Sequence, residues 1–532
     1  MQRGRIRSAA LLQDARTYAR FVGGLRRFLR DPMTIDECRR VVQETVAGRE
    51  QNFLRLLERA VYANPRSPYL ALLSHAGAQL EDVARLVDSE GLEGALDRLH
   101  DAGVHLTLDE VRGRVPVRRG SLELEFTFAD LANPLVTGVF TGRSGGSRSL
   151  GRVNLLNFDL FAHQAAYWGA FLSAFGLSSR PFAIWYPPVI PGINLILCEG
   201  KLDRRPERWF LPSPLLQGAD SVKEGFLVAT TSALGRVTGR ALPFPRHLPP
   251  TRAVEIVKWL AEKRDAGTPG LLAATPSSSV RVCLAAAEHG IDISGSFFRM
   301  GGEPYTPSKA RIVADAGCDG ACHYFLSELG WAGVACADPA YPDEVHVCTD
   351  RLAVRQRRHR LASGDHVELF SFTSLHPSLP NVFLNVAWDD FGVLEERACS
   401  CPLAELGLSL HLHTIRSVEK LTGEGVSFLG EALIDVVEDL LPNRFGGAPN
   451  DYQLVEKEHG GVTRVQVRIS PRLGRVDEDR IVPEILAFLE QTRGGRAMAG
   501  LWRAGATLEV IRAEPLVTRA SKVLPLHVAA KE

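Results

Sequence analysis

Through the middle of the chain, helix-sized segments alternate with short apolar runs that are typical of buried strands. The helix-sized segments cover residues 158–175, 251–266 and 277–289. Two apolar runs, residues 182–186 and 226–231, separate the first of these segments from the second. Strands that alternate with helices in this way indicate a sheet with helices packed against it. The sequence therefore predicts an α/β domain.

The two ends of the chain have different patterns. Residues 34–110 predict helices, because Thr34-Ile-Asp-Glu is a helix-start signature and apolar residues then recur at helical spacing. The end of the chain predicts a small α+β unit, with a helix at 431–441, strands at 452–456 and 463–469, a helix at 478–491 and a strand at 507–512. We therefore divide the chain into residues 1–110, 111–415 and 416–532.

The charge balance excludes some classes of function. Lys+Arg and Asp+Glu both number 62, so the chain offers no electrostatic case for nucleic acid or an acidic membrane surface as a partner. No apolar run approaches the length of a bilayer span. The first 31 residues are rich in arginine and poor in acids, which fits a transit peptide or a solvated helix. We favour the solvated helix, since the whole chain prefers arginine to lysine.

The chain contains nine cysteines. An odd number in so long a chain does not predict a disulfide framework. It fits a reducing compartment and leaves room for one metal site. We therefore expect a cytoplasmic protein.

A loop rich in small residues, Thr141-Gly-Arg-Ser-Gly-Gly-Ser-Arg148, follows a short apolar run. Small residues let backbone N–H groups approach phosphate oxygens, while hydroxyls and arginines add donors and charge. An ordinary surface loop can have the same composition. The loop is not a Walker loop, because the Gly-Lys-Ser/Thr ending is missing.

Acidic residues follow two later strand candidates. Glu328 ends the motif Tyr324-Phe-Leu-Ser-Glu, where it can ligate the Mg²⁺ that ATP carries or can be a solvated strand end. Asp389 and Asp390 can hold ribose hydroxyls or form a turn. Lys522, near the C-terminus, looks like an ordinary surface lysine on its own. Its meaning depends on the order of the other motifs.

Taken in order, these motifs resemble those of the adenylate-forming superfamily, with the phenylacetate–CoA ligases and the acyl-protein synthetases as the nearest branch. The resemblance runs from about residue 50 to the end, and residues 60–69 look like the end of that branch's N-terminal helix. Gly301-Gly-Glu-Pro-Tyr-Thr306 resembles the segment that lies along the adenine. Residues 415–426, Ile-Arg-Ser-Val-Glu-Lys-Leu-Thr-Gly-Glu-Gly-Val, resemble the hinge.

The resemblance implies an α/β fold with a helical N-terminal segment in the large domain, an ATP- and acid-binding α/β domain and a small mobile α+β C-terminal domain. Glu328 is then the residue that serves Mg²⁺, and Lys522 the one that neutralises charge at the carboxylate and the α-phosphate. Lys522, Glu328 and Arg416 are the implied catalytic residues, and Glu419 belongs to the hinge. The implied ATP-binding residues are Thr141, Gly142, Ser144, Gly145, Arg148, Gly302, Glu303, Pro304, Tyr324, Ser327 and Asp390.

The chain departs from the family pattern at four places. The phosphate loop ends in Ser147-Arg148 rather than Pro-Lys, and Phe325 stands where the family has a small glycine. Asp389-Asp390 replaces Gly-Asp, which leaves open the aspartate that meets the ribose. The hinge has Val418-Glu419 instead of an aspartate pair. These changes bear on efficiency and substrate more than on the class of reaction.

The function implied is ATP-dependent activation of a small carboxylic acid to acyl-AMP, with release of pyrophosphate and acyl transfer to coenzyme A. The alternatives are transfer to a carrier or acceptor protein thiol, transfer to an amine, and a non-catalytic nucleotide-binding relative. Lys522 and Glu328 argue against the last alternative. The sequence predicts no nucleic-acid or membrane partner and allows a homodimer.

The identity of the acid is open. His163 and Trp185 are candidates for the acyl pocket, although a lone histidine on an apolar helix is more often a core residue. The candidate pocket segments, which begin at Trp185 and Phe297, are apolar and aromatic and include one arginine. They favour an aryl or medium-chain acid.

Four residues near the predicted ATP site could bind a structural zinc ion. Cys399 and Cys401 follow Asp390, while Cys336 and His346 flank a Pro-rich loop. If their strands lie side by side, as the resemblance implies, three thiolates and one imidazole form a closed tetrahedral set. The alternative is four unrelated residues, since cysteine is often simply buried and Cys348 is an equally near candidate ligand.

Overall fold

The computed structural model describes most of the chain from residue 23 onward. The ranges outside the description are 1–22, 112, 114, 138–139, 144–152, 187–191, 213–242, 303, 327, 361–365, 418–421, 424–425, 428–429, 460–461, 492–498, 500–507, 518–522, 524 and 529–532. The strand candidate at residues 226–231 therefore lies outside the described residues. No helix within the described ranges combines the length and the apolar character that crossing a membrane requires.

Helices occupy the N-terminal part and alternate with strands further on, as the sequence patterns predict. They are α1 (Ile35–Ala47), α2 (Arg49–Leu56), α3 (Pro68–His75), α4 (Leu80–Asp101), α5 (Leu108–Val111), α6 (Phe158–Ala174), α7 (Ile193–Lys201), α8 (Val254–Asp265), α9 (Pro276–Glu288), α10 (Pro307–Asp315), α11 (Gly430–Asp435), α12 (Leu441–Phe445) and α13 (Ile481–Gln491). The predicted helix start at Thr34 is a capping box, since the Glu37 amide donates to Thr34 Oγ1 and the Thr34 amide donates to the Glu37 carboxylate.

The strands form one large sheet and several smaller ones. They are β1 (Val117–Arg119), β2 (Leu122–Leu124), β3 (Phe140–Arg143), β4 (Val153–Leu156), β5 (Phe182–Trp185), β6 (Arg208–Leu211), β7 (Arg246–His247), β8 (Leu271–Ala274), β9 (Phe297–Gly301), β10 (Asp319–Leu326), β11 (Gly330–Ala335), β12 (Val345–Val347), β13 (Leu352–Arg360), β14 (His366–Ser374), β15 (Val386–Glu396), β16 (Leu410–Ser417), β17 (Thr422–Gly423), β18 (Val426–Ser427), β19 (Tyr452–His459), β20 (Val462–Ile469), β21 (Leu508–Arg512) and β22 (Leu526–Val528).

The large sheet has the strand order β13-β14-β15-β16-β12-β11-β10-β9-β8-β5-β6-β7. Its β10-to-β7 half is parallel, and its β13-to-β11 half is antiparallel. Strand β10 joins the two halves, because it pairs in parallel with β9 and then antiparallel with β11. The change of pairing falls between His323 and Tyr324, where the predicted metal motif begins.

Helices cover both faces of the parallel half. Side chains alternate along β5, so Ile184 packs in a core shared with α6 and the N-terminal helices, whereas Trp185 packs in a second core with α8 and α9. Helix α6 is buried along most of its length and begins at Asn157, whose side chain accepts from the Leu160 amide. It lies between the N-terminal helices and the sheet, as a helix that is apolar on most sides must.

A third core contains only residues between Leu433 and Leu526. Strands β21-β20-β19-β22 form its sheet. The sequence predicts a single helix at 431–441, but the structure has a π-helical turn, Val436–Leu440, between α11 and α12. Pro442 has no N–H to donate to the preceding turn, which explains why regular α-helix does not continue through this point.

Candidate active site

The predicted adenine segment follows the carboxyl end of β9. Residues 297–301 of β9 pair in parallel with residues 319–323 of β10, which places Gly301 opposite His323. Gly302 has φ +83°, a left-handed conformation that favours glycine, and it turns the chain out of the sheet. Thr306 then caps α10. Gly302 and Pro304 thus lie at the sheet edge where α/β folds bind ligands, while Glu303 lies outside the described residues.

The predicted metal motif lies at the same edge. A β-bulge between Tyr324 and Phe325 marks the point where β10 turns from β9 to β11. Glu328 is 7% exposed, and its backbone carbonyl accepts a 2.7 Å hydrogen bond from the Asn381 side-chain amide. Asn381 is buried, so it holds the Glu328 backbone in place. Ser327 lies outside the described residues.

Tyr324 and Asp390 meet although three strands separate β10 from β15 in the sheet order. The Tyr324 hydroxyl donates to Asp390 Oδ2 at 2.7 Å. Burial raises the pKa of Tyr324, and the Asp390 charge raises it further, so the phenol stays protonated and donates. The structure therefore brings the metal motif and the predicted ribose residue into direct contact, and of the two adjacent aspartates it is Asp390 that touches Tyr324.

The predicted phosphate loop connects the two strands of a hairpin. Strands β3 and β4 pair antiparallel, with Thr141 opposite Leu155 and Gly142 opposite Asn154. The loop residues Ser144, Gly145 and Arg148 lie outside the described residues, and so does the Thr141 side chain.

Three other predicted residues fall in the C-terminal part. The Arg416 backbone pairs with Phe391 on β15, but its side chain lies outside the described part of the chain. Glu419 and Lys522 also lie outside it. The roles of these residues remain predictions.

His163 is part of a buried polar network. Its Nε2 lies 2.8 Å from Asp350 Oδ2, and its Nδ1 accepts from Arg351 at 2.9 Å. The Tyr167 hydroxyl also donates to Asp350, and the His376 ring stacks on His163 at 4.3 Å. Burial acts to raise the pKa of Asp350, but its electrostatic interaction with His163 and the hydrogen bonds from His163 and Tyr167 hold it well below its usual range.

Trp185 lies on the other side of the sheet from α6. Its indole donates to the Leu248 carbonyl at 3.0 Å, within the core that faces α8 and α9. The structure therefore does not bring the two predicted acyl-pocket residues, His163 and Trp185, together. The reason is strand alternation, because Trp185 and its neighbours Ile184 and Tyr186 point to opposite faces.

The four predicted zinc ligands lie together. Sγ of Cys399 is 4.0 Å from Sγ of Cys336 and 3.7 Å from Nε2 of His346. The ligand atoms of Cys336, His346 and Cys401 all lie within 4.8 Å of one another. A tetrahedral zinc with ordinary bond lengths separates two sulfurs by about 3.8 Å and a sulfur from a nitrogen by about 3.6 Å. The spacing of Cys336, His346 and Cys401 therefore fits one zinc ion, and Cys399 lies close to Cys336 and His346 without being within 4.8 Å of all three.

Hydrogen bonds around the cluster prepare the donor atoms. His346 Nδ1 lies 2.7 Å from the Leu408 carbonyl, which assigns the proton to Nδ1 and leaves the Nε2 lone pair facing the thiols. The Ala337 amide donates to the Cys401 sulfur at 3.2 Å. The hydrogen bond from Cys336 lowers the pKa of Cys401, although burial acts in the opposite direction. Cys348, the alternative ligand, lies instead beside Tyr167 and Asp350.

The sequence analysis missed one possible ligand at this cluster. His411 belongs to a group with His346 and Cys399 whose donor atoms are equally close, and its Nδ1 lies 2.7 Å from the Glu344 carboxylate. Arg397 donates to the same carboxylate. The signal in the sequence was the alternation His411-Leu-His413 on a strand, which places both imidazoles on one face.

The chain has the fold of adenylate-forming enzymes. Its structure is similar to that of 2-hydroxyisobutyryl-CoA ligase in the postadenylation state with R3-HIB-AMP, with a TM-score of 0.51 and 14% identity over 94% of this chain and 91% of that chain. It also matches the amide bond synthetase McbA from Marinactinospora thermotolerans (TM-score 0.39, 14% identity, 86% and 91% covered). The McyG A-PCP complex with phenylalanyl-adenylate is a further match (TM-score 0.41, 10% identity, 84% and 72% covered). No protein-family model and no curated protein matches the chain.

Proposed function

We propose that this protein activates a carboxylic acid with ATP to give an acyl-AMP and pyrophosphate, and then transfers the acyl group to a thiol, with coenzyme A as the first candidate. The observation that carries the proposal is the meeting of three motifs at one sheet edge. Gly302 follows β9, Tyr324 lies near the end of the adjacent parallel strand β10, and Tyr324 contacts Asp390. The proposed family branch, that of the phenylacetate–CoA ligases, rests on the same motifs.

In the first half-reaction, an oxygen of the substrate carboxylate attacks the α-phosphorus of ATP, and pyrophosphate leaves. The protein's part is to position the two reactants and to stabilise the developing charge. Asp390 Oδ2 accepts a hydrogen bond from the Tyr324 hydroxyl. We propose that the Asp390 carboxylate also accepts a hydrogen bond from a ribose hydroxyl. The 141–148 loop would donate N–H groups and hydroxyls to the phosphates.

Glu328 fits a magnesium ligand by its chemistry and its position. Mg²⁺ takes one or two carboxylates together with substrate phosphates, and it would draw charge away from those phosphates. Glu328 is a carboxylate at the carboxyl edge of the sheet, and Asn381 fixes its backbone. The chain's own contribution is thus one oxygen donor held in a set position.

We expect Glu328→Gln to lower kcat/KM for MgATP by about 100-fold, because the amide keeps the shape but loses the charge that holds the metal. Initial rates of pyrophosphate exchange over a series of Mg²⁺ concentrations measure the effect. Glu110→Gln is the matched control, since Glu110 is also buried but pairs with Arg119 far from the motifs in sequence. An unchanged requirement for Mg²⁺ in Glu328→Gln would contradict the assignment.

For the second half-reaction we propose that residues 416–532 move as a domain about Arg416–Glu419. The separate core of residues 433–526 supports this division. In the present arrangement, Lys309 on α10 lies 3.2 Å from Glu438, and Ser308 donates to Asp439. These contacts join the C-terminal unit to the helix that follows the proposed adenine segment, so movement of that unit would be coupled to the nucleotide site.

Pyrophosphate exchange with a panel of carboxylic acids tests the proposed function. Exchange that depends on an added acid is the expected result, and exchange with no acid in the panel would reject it in favour of the nucleotide-binding alternative. Coenzyme A is the first acceptor to test, because the structurally similar ligase is a CoA ligase by name. Stimulation only by a carrier protein or an amine would select the other acceptor classes.

We also propose that Cys336, His346, Cys399 and Cys401 hold a structural zinc ion. The donor spacing described above and the Leu408 bond to His346 support it. Cys336 follows β11, the neighbour of the strand that carries Tyr324, and Cys399 follows β15, which carries Asp390. The ion would tie together the two segments that meet at the ATP site.

We place the protein in the cytoplasm. None of the described cysteines forms a disulfide, which is consistent with a reducing compartment.

A further inference from the structure

A buried guanidinium lies next to the proposed site. Arg299 is on β9, two residues before Gly301, and is 9% exposed. Its guanidinium packs in the corner between two perpendicular indoles, 4.6 Å from the Trp168 ring centre and 5.5 Å from that of Trp331. Among the described residues, no acid lies within ion-pair distance of Arg299, and its Nε has no hydrogen-bond partner.

A second unpartnered donor lies in the same place. His323 on β10 is buried, and its ring packs on Trp331 at 4.7 Å. Its Nδ1 accepts the Ala335 N–H at 3.1 Å. Burial, together with the Arg299 charge, lowers the pKa of His323, so the ring is neutral and its single proton sits on Nε2. That Nε2–H is buried and has no partner among the described residues.

The acid on which the Arg299 charge acts, Glu199, already has an ion-pair partner. Glu199 is fully buried, but its Oε2 already accepts from Arg204 at 2.7 Å. Glu199 is therefore held by Arg204 at ion-pair distance, and Arg299 contributes only a smaller electrostatic effect on it. A buried charge or donor without a partner is costly, and such groups are usually explained by something that binds them.

The position of these donors connects them to the reaction. Arg299 and Gly301 are two residues apart on β9 and therefore lie on the same face of the strand. Gly301 pairs with His323 on β10. Both donors thus face the α6 side, at the end of the strands that lead into the adenine segment and the metal motif. A group bound by these donors would lie only one or two residues along the strands from the adenine segment and the metal motif.

We infer that Arg299 and His323 form an anion-binding subsite for a second acidic group of the substrate, so that the acid activated is a dicarboxylic acid or a carboxylic acid with another anionic group. The inference rests on the proposed function and adds the substrate class to it. The two indoles hold the guanidinium plane, and its edge is then oriented for a bidentate carboxylate. His323 Nε2–H supplies one further donor.

The test compares pairs of acids of equal length, such as glutarate with valerate and adipate with hexanoate, in pyrophosphate exchange. The wild-type protein is expected to prefer the dicarboxylate by at least tenfold in kcat/KM. In Arg299→Met, the ratio of dicarboxylate to monocarboxylate kcat/KM is expected to fall by at least 100-fold. Arg299→Lys should restore part of that ratio, because it keeps the charge but not the bidentate geometry.

Arg119→Met is the matched control, since it also removes a largely buried guanidinium, but one that pairs with Glu110 and not with a residue near Arg299. It should lower thermal stability and leave the substrate ratio unchanged. A wild-type preference for monocarboxylates would overturn the inference and leave the proposed function intact. This measurement uses only the wild-type protein, so it does not depend on whether a variant folds. If no acid supports exchange, the proposed function fails. The subsite then requires that glutarate or adipate raise the Tm of the wild type but not of Arg299→Met, and no such shift would overturn it.

Discussion

Replacing Lys522 by alanine is expected to abolish acid-dependent pyrophosphate exchange and to leave thioester formation from supplied acyl-AMP largely intact. The first half-reaction brings an anionic carboxylate against an anionic phosphate, so a cation must offset the charge as the bond forms. Loss of one such preorganised group commonly costs about 100- to 1,000-fold. The second half-reaction starts from acyl-AMP with pyrophosphate already gone, and has no comparable need for this lysine.

The residues that follow Lys522 belong to the C-terminal sheet, which supports the proposal that this domain carries the lysine. Val523 forms a bridge with Val517, and Leu526–Val528 pairs with β19 in the C-terminal sheet. A rotation of that sheet would move the attached segment with it. Lys258→Ala, an exposed lysine on α8, is the control for loss of one positive charge. Equal loss of both half-reactions in Lys522→Ala would contradict an adenylation-only role.

Local patterns in the sequence predicted local structure well. The helix predicted at 158–175 is α6, and the strand predicted at 182–186 is β5. The C-terminal order of helix, two strands, helix and strand is also found. These elements follow from side-chain periodicity and capping within one segment, which need no knowledge of the rest of the chain.

Contacts between distant segments could not be predicted in the same way. A lone histidine on an apolar helix favours a core position, and His163 is indeed buried, but its partners Asp350 and His376 come from loops far along the chain. Arg299 meets its two tryptophans only because β9, β11 and α6 are brought together by the sheet order. Periodicity says which residues face inward but not which inward-facing residues meet.

The proposed zinc site was predicted partly from local patterns and partly from a contact between distant segments. Cys-x-Cys spacing and the Cys and His flanking a loop are local features, whereas their meeting depends on β12 lying between β11 and β16. The sequence analysis anticipated that meeting through a family resemblance. The alternation His411-Leu-His413 marks His411 as an inward-facing candidate, but only the register of β12 and β16 shows that His411 lies directly opposite His346.

Removing one ligand of the proposed zinc site is expected to lower both metal content and stability. Protein purified without a His tag should contain about one zinc per chain, because four ligands close a structural site. Cys401→Ala should lose most of that zinc and unfold at a temperature about 5–10 °C lower. This shift corresponds to a decrease of roughly 3 kcal/mol in the free energy of unfolding of the large domain. Elemental analysis and a thermal melt measure the two effects.

Cys348→Ala is the matched control, since Cys348 is also buried and lies two residues after His346 but contacts a different network. It should keep its zinc and lose only the smaller stability that a shortened core side chain costs. Loss of zinc in Cys348→Ala together with its retention in Cys401→Ala would show that Cys348, and not Cys401, is the ligand. Metal-free wild-type protein with full stability and activity would reject the site altogether.

The same variant connects stability to catalysis. Cys336 follows β11, and β11 pairs with the segment that carries Tyr324, while Cys401 follows the strand that carries Asp390. If the metal holds these two segments together, its loss loosens the Tyr324–Asp390 contact before it unfolds the chain. Cys401→Ala should therefore raise KM for ATP at temperatures well below its melting point, whereas a purely structural clamp remote from the nucleotide would leave that KM unchanged until the melt begins.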